Sequence, residues 1–260
     1  MNTTNRYSLT FETLAELMPE IRAANANVAQ ALPNLSSVLK NYSPIPHEAI
    51  FLGIANDGLP VLLNLRDPIP GPILVVGNKG SGKTKLLQII ARSIEECHDP
   101  DSIRYAVITQ NEKDWEGSGS SMNNEGILSF QQPLTKNYLD SLVSWAHSNN
   151  QGDKFTILLI DGLEAVSQNR EIHQMIRWLL LRGPTRHIWP VVTLNSANIL
   201  FVNEWLDCFR TRICGHLTDE KEIQVLTGAN NPIFGDLLAG SQFSMRENKL
   251  WVPFWLPNLD

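Results

Sequence analysis

Ile73-Leu74-Val75-Val76-Gly77-Asn78-Lys79-Gly80-Ser81-Gly82-Lys83-Thr84 decides how this chain folds. Four apolar residues read as a buried strand. The next eight fit GxxxxGK[ST], and a helical pattern follows from Gly82 to about Cys97. Strand, glycine-rich turn and helix in that order make a phosphate-binding loop. Glycine lets backbone amides approach oxyanions, and the helix start adds partial positive charge. The segment Gly77, Asn78, Lys79, Gly80, Ser81, Gly82, Lys83, Thr84, Lys85 is therefore expected to hold a nucleotide. Lys83 is expected to reach the β- and γ-phosphates of ATP, and the Thr84 hydroxyl to bind magnesium.

A second motif lies downstream. Phe155-Thr156-Ile157-Leu158-Leu159-Ile160-Asp161 is an apolar strand ending in an acid, the pattern that holds a magnesium-bound water beside such a loop. The residue after Asp161 is Gly162, where many ATPases carry a water-orienting glutamate, and the nearest acid is Glu164. Glu164 reads either as a relocated catalytic base or as a helix-start acid favoured by the dipole. The strand Trp189–Leu194 ends at Asn195-Ser196. Asn195 reads as a γ-phosphate sensor or as a turn residue. Arg182 and Arg186 precede that strand. Each reads as an arginine finger acting on a neighbouring subunit or as a solvated surface residue.

Around these motifs strands alternate with helices. The expected strands are 103–109, 155–160, 189–194 and 211–217; the expected helices are 135–147, 164–182, 199–208 and 219–226, the last ended by Gly228. The polar segment 113–125 reads as a mobile loop. Asn56-Asp57-Gly58 marks a hairpin, and 241–246 with 249–254 a closing one. Residues 10–41 carry helical spacing, broken at Pro19 and Pro33, and Ser43-Pro44-Ile45-Pro46 is a stiff linker. The fold class is α/β: a mainly parallel sheet flanked by helices, with an N-terminal helical arm and linker (1–46), a P-loop ATPase domain (47–260) and a C-terminal β-hairpin.

Composition limits the alternatives. The formal net charge of -6 gives no global basic signal for nucleic acid, although a local strip would suffice. Cys97, Cys208 and Cys214 form no CxxC pair, so neither a disulfide framework nor a zinc site is expected. No stretch reads as a signal peptide or a membrane span, which points to a cytoplasmic protein.

Taken in order, these segments resemble the FtsK/HerA group of motor ATPases, a RecA-like P-loop branch. The resemblance rests on Leu52-Gly53 through Leu63, the phosphate loop, Ile188–Ser196, Phe209-Arg210-Thr211-Arg212-Ile213, Asp219, Leu226-Thr227-Gly228 and the closing hairpin, covering roughly residues 50–256. It implies a hexameric ring that uses ATP and magnesium to move double-stranded DNA, with Asn195 in the sensor strand and Arg182 and Arg186 near the arginine-finger region. The pattern departs from the family's at Gly162 and at Gln110-Asn111, where Asp-Pro-Lys usually ends the second strand. A second expectation follows: a catalytically weak nucleotide-binding or regulatory subunit of a larger hetero-assembly.

Overall fold

The computed structural model describes residues 32–66, 71–118, 120–148, 154–168, 170–228, 233–247 and 250–260. The helices expected over 10–31 and the break at 67–70 lie outside them. The compact unit runs Pro33–Asp260, so the helix at its start, read from the sequence as part of the arm, belongs to it.

Ten strands form one sheet. They are β1 (Ala49–Ala55), β2 (Pro60–Asn64), β3 (Ile73–Gly77), β4 (Ile103–Thr109), β5 (Asn124–Ser129), β6 (Phe155–Asp161), β7 (Ile188–Asn195), β8 (Thr211–Cys214), β9 (Gln242–Glu247) and β10 (Leu250–Trp255), in the order β2-β1-β10-β9-β8-β3-β7-β6-β4-β5. From β8 to β5 neighbouring strands run parallel; from β8 through β9, β10 and β1 to β2 they run antiparallel. Among the described residues the helices of eight residues or more are α1 (Leu35–Tyr42), α2 (Lys83–Cys97), α3 (Pro133–Ser148), α4 (Arg170–Arg182) and α5 (Glu220–Thr227).

Strand residues alternate between two cores, as period-two geometry dictates. Ile73 and Val75 pack with Leu86, Ile90 and Ile94 of α2, and with Leu35, Val38 and Leu39 of α1. Leu74 and Val76 pack on the other face with Leu139 and Leu142 of α3 and Ile172 and Ile176 of α4. Because both faces are covered, β3 is buried along its whole length, which explains its unbroken apolar run. Asp219 caps α5 by accepting from the backbone N–H of Lys221 (2.7 Å) and Glu222 (3.2 Å), and Gly228 ends it at φ 75°.

Three expectations change. The segment 113–125 is not a bare loop. It holds a 3₁₀ turn, Glu112–Trp115, with Trp115 buried in the core, and the start of β5. Strand β5 has little apolar alternation. Its parallel pairing with β4 is supported by the Asn123 amide, which donates to the carbonyls of His98 (3.1 Å) and Ile103 (2.9 Å). The helix expected over 164–182 begins as a 3₁₀ turn, Leu163–Gln168, before α4, at a junction whose sequence carries the weaker helix formers Ser167 and Asn169. The helix expected over 199–208 is a 3₁₀ turn, Ser196–Val202, followed by one short α-turn, Asn203–Leu206.

Gly53 marks where the hairpin meets the closing strand. A Cβ there would lie 2.5 Å from the Trp255 carbonyl oxygen and 2.6 Å from Phe254 Cδ2. Gly53→Ala is expected to destabilise the protein by about 1–3 kcal/mol, read as a lower urea midpoint with an unchanged slope.

Candidate functional site

The phosphate loop forms where β3 meets α2. Strand β3 lies between β7 and β8, and Gly77 is level with Asn195 across the β3–β7 pairing. The loop curls so tightly that a Cβ on Gly77 would sit 2.4 Å from Ser81 Oγ. At Gly82, φ is 92° and a Cβ would meet the backbone of Gly240 at 3.0 Å. Two glycines therefore let the turn before β9 pack directly on the loop. No side chain caps the start of α2, so its first N–H groups face the loop as anion donors.

The charged groups converge on this end of the sheet. Lys83 Nζ donates to the carbonyls of Gly77 and Asn78, both at 2.9 Å, and to Ser81 Oγ at 3.5 Å. Burial lowers the Lys83 pKa, and the carboxylates of Glu164 and then Asp161 push it back up. Thr84 Oγ1 donates to Asp161 Oδ2 at 2.8 Å. Hydroxyl and carboxylate are hard oxygen ligands, and magnesium commonly uses one or two such groups together with substrate phosphates, so the pair fits that ion. Lys79 is exposed on the loop; Lys85 is half-buried in the first turn of α2, and burial lowers its pKa.

Glu164 also reaches this site, by a route that continuing the strand would not provide. Strand β6 ends at Asp161, and Gly162 turns the chain at φ 106°. A Cβ built on Gly162 would lie 3.9 Å from Glu164 Cδ. The turn thus returns a carboxyl group, two residues on, to the space beside position 162. Its charge acts on Lys83 more strongly than that of Asp161.

The structure adds residues that the motifs did not single out. Thr193 Oγ1 donates to Asp161 Oδ1 at 2.7 Å and accepts from the Gly162 N–H at 2.8 Å. One hydroxyl therefore orients the acid and fixes the turn that follows it. The available signal was a lone polar residue inside the buried run of β7. Asn78 accepts from Ser196 Oγ at 2.7 Å, donates through Nδ2 to Thr218 Oγ1 at 2.9 Å and donates its N–H to the His216 carbonyl at 3.0 Å. The loop is thereby tied to the end of β7 and to the segment after β8.

Thr193→Val keeps the shape and removes the hydroxyl. It leaves a part-buried N–H without its acceptor and one carboxylate oxygen without its donor. The expected cost is about 1–3 kcal/mol of unfolding free energy, measured by urea titration.

Arg182 and Arg186 lie elsewhere. Arg182 is exposed in the last turn of α4 and Arg186 closes the 3₁₀ turn Pro184–Arg186, both ahead of Ile188. From Ile188 to Asn195 strand β7 rises roughly 23 Å at about 3.3 Å per residue, so neither arginine is near this chain's own loop. Asn195, half-buried beside Gly77, is near it.

The strand order around β3, with the motif residues at the carboxyl ends of β3, β6 and β7, settles the fold. It is a RecA-like P-loop ATPase fold. Solved structures agree. The cytoplasmic domain of the Thermomonospora curvata type VII secretion ATPase EccC superposes with a TM-score of 0.71 at 16% identity, covering 87% of this chain and 32% of that one. EssC ATPases 2 and 3 from Geobacillus thermodenitrificans give 0.71 at 12% identity, covering 88% and 47%. The pCW3 conjugation coupling protein TcpA, solved with ATPγS, gives 0.63 at 14% identity, covering 84% and 68%. This chain spans a third to a half of the EccC and EssC chains. No family model and no curated protein matches the sequence. At the level of fold, the resemblance to the FtsK/HerA group is borne out.

Proposed function

We propose that this chain is a motor-type ATPase that binds ATP with magnesium at residues 77–85 and hydrolyses it in an oligomer. The convergence of Lys83, Thr84, Asp161 and Glu164 at one glycine-lined turn carries this reading. The loop amides and the start of α2 hold the phosphate oxygens. Lys83 Nζ exchanges its 3.5 Å contact with Ser81, its longest, for a β- or γ-phosphate oxygen. Magnesium, when bound, offsets charge on the β- and γ-oxygens. Thr84 and Asp161 hold it, with Asp161 kept in orientation by Thr193. Glu164 accepts the proton of the attacking water, and Asn195 faces the γ-phosphate.

The resemblance to FtsK/HerA motors extends the proposal to a cytoplasmic hexameric ring acting on double-stranded DNA. Arg182 and Arg186, far from their own loop, then act on a neighbour's nucleotide. Among the described residues no helix is long and apolar enough to cross a membrane. The competing reading, a catalytically weak regulatory subunit, drew its support from Gly162; the placement of Glu164 weakens it.

The test is ATP turnover by the full chain with and without double-stranded DNA, paired with light-scattering mass in the presence of nucleotide. Turnover stimulated by DNA in a hexamer is the expected result. Turnover that ignores DNA leaves the ATPase standing and removes the translocase. Absence of turnover under every condition, with Mg·ATP bound, returns the regulatory reading.

A further inference from the structure

Three arginines line one pocket on the flank of the sheet. The pocket, about 250 Å³, is bounded by Phe209, Arg210, Arg212, Leu226, Arg246 and Trp251. Strand pairing brings them together. Ile213 pairs with Met245 across β8 and β9, and the same register carried one step sets Arg212 beside Arg246. Arg246 in turn pairs with Trp251 across β9 and β10. Among the described residues none that lines it is acidic. The arginine ion pairs among the described residues involve Arg66, Arg92, Arg104 and Arg177, not these three.

Arg212 is fixed in place: Nη1 donates to the Leu226 carbonyl at 2.5 Å and Nη2 to the Leu206 carbonyl at 3.0 Å. A guanidinium has five N–H donors, so these two bonds leave others available. Arg210 and Arg246 are exposed and hold no such bond among the described residues. Trp251, half-buried, is braced edge-on by Phe234 at 4.9 Å. Three like charges around one small pocket are mutually unfavourable, in a chain whose formal net charge is -6. An anion would offset that repulsion.

We propose that this pocket binds a phosphate group, separately from the nucleotide loop. A planar carboxylate is satisfied by one guanidinium fork, whereas a tetrahedral phosphate accepts from several guanidinium groups at different angles. Arg212 is level with Leu74 and Cys214 with Val76, so the pocket lies about three residues, roughly 10 Å, back from Gly77 along β3. No residue from 77–85 lines it. The phosphate comes from one of two sources: a nucleic-acid backbone, or free phosphate or pyrophosphate.

The experiment uses the full chain carrying Lys83→Ala, which disables the nucleotide loop. Pyrophosphate binding is measured by calorimetry, and a labelled DNA duplex by anisotropy across a salt series. At least one is expected to bind, and Arg210→Gln with Arg246→Gln should weaken that binding about tenfold or more. For DNA, the slope of log affinity against log salt should also fall by about two, one unit per lost phosphate contact. Binding of DNA alone assigns the backbone; binding of pyrophosphate alone assigns the free anion. If the glutamine variant melts early, Arg210→Lys with Arg246→Lys replaces it, with several-fold weaker binding expected from the lost forks. Binding of neither ligand, binding unchanged in the variants, or displacement by polyglutamate as readily as by pyrophosphate overturns the proposal. ATP turnover of the unmodified chain is unaffected by that failure, so the two readings fail separately.

Discussion

Lys83→Ala is expected to lower ATP turnover by about a hundredfold to a thousandfold or more, as loss of a preorganised charge on the phosphates does elsewhere. The ammonium is the loop's only side-chain cation directed at its own carbonyls, with Gly77 and Asn78 each 2.9 Å away. Burial lowers its pKa and two carboxylates offset part of that, so a triphosphate's negative charge would favour the cation further. Folding should survive the change. The loop is also held by Asn78 through Ser196, Thr218 and the His216 carbonyl, none of which involves Lys83. Thermal melting within a few degrees of the parent, with turnover lost, is the expected pair of observations. Turnover within a factor of about three of the parent would remove Lys83 from the chemistry, because contributions of this kind are rarely so small.

How much of this was readable in advance depends on how local each feature is. The phosphate loop was readable because its shape follows from residues adjacent in sequence: Gly77 must admit Ser81, and Gly82 must adopt a positive φ. The long apolar runs of β3 and β6 announced a sheet covered on both faces, and two packed cores are found. Strand β5 was hidden because backbone pairing and an asparagine side chain hold it, and neither leaves a hydrophobic period. Thr193 was half-visible, as one hydroxyl in a buried strand. The arginine pocket was invisible, since Arg212, Arg246 and Trp251 become neighbours only through the order β8-β9-β10. Proximity across a sheet is set by topology, and topology is a property of the whole chain.

Glu164→Gln is expected to lower turnover about a hundredfold to ten-thousandfold while changing Mg·ATP affinity only a few-fold. Glutamine keeps the size and loses the base. Affinity should hold because, in the proposed mechanism, the loop amides, Lys83, Thr84 and Asp161 bind the substrate and Glu164 acts on the water. If the chain were instead a catalytically weak subunit for want of an acid at position 162, Gly162→Glu would raise turnover. The geometry opposes it. Gly162 sits at φ 106°, a conformation L side chains rarely adopt, and its N–H bonds Thr193 Oγ1. A side chain there would start 3.9 Å from Glu164 Cδ, placing a second carboxylate against the first. Gly162→Glu should therefore lower both stability and turnover, whereas Glu164→Asp should retain partial activity. If Gly162→Glu raises turnover while Glu164→Gln changes it less than about threefold, Glu164 is only a helix-start acid and the base lies elsewhere.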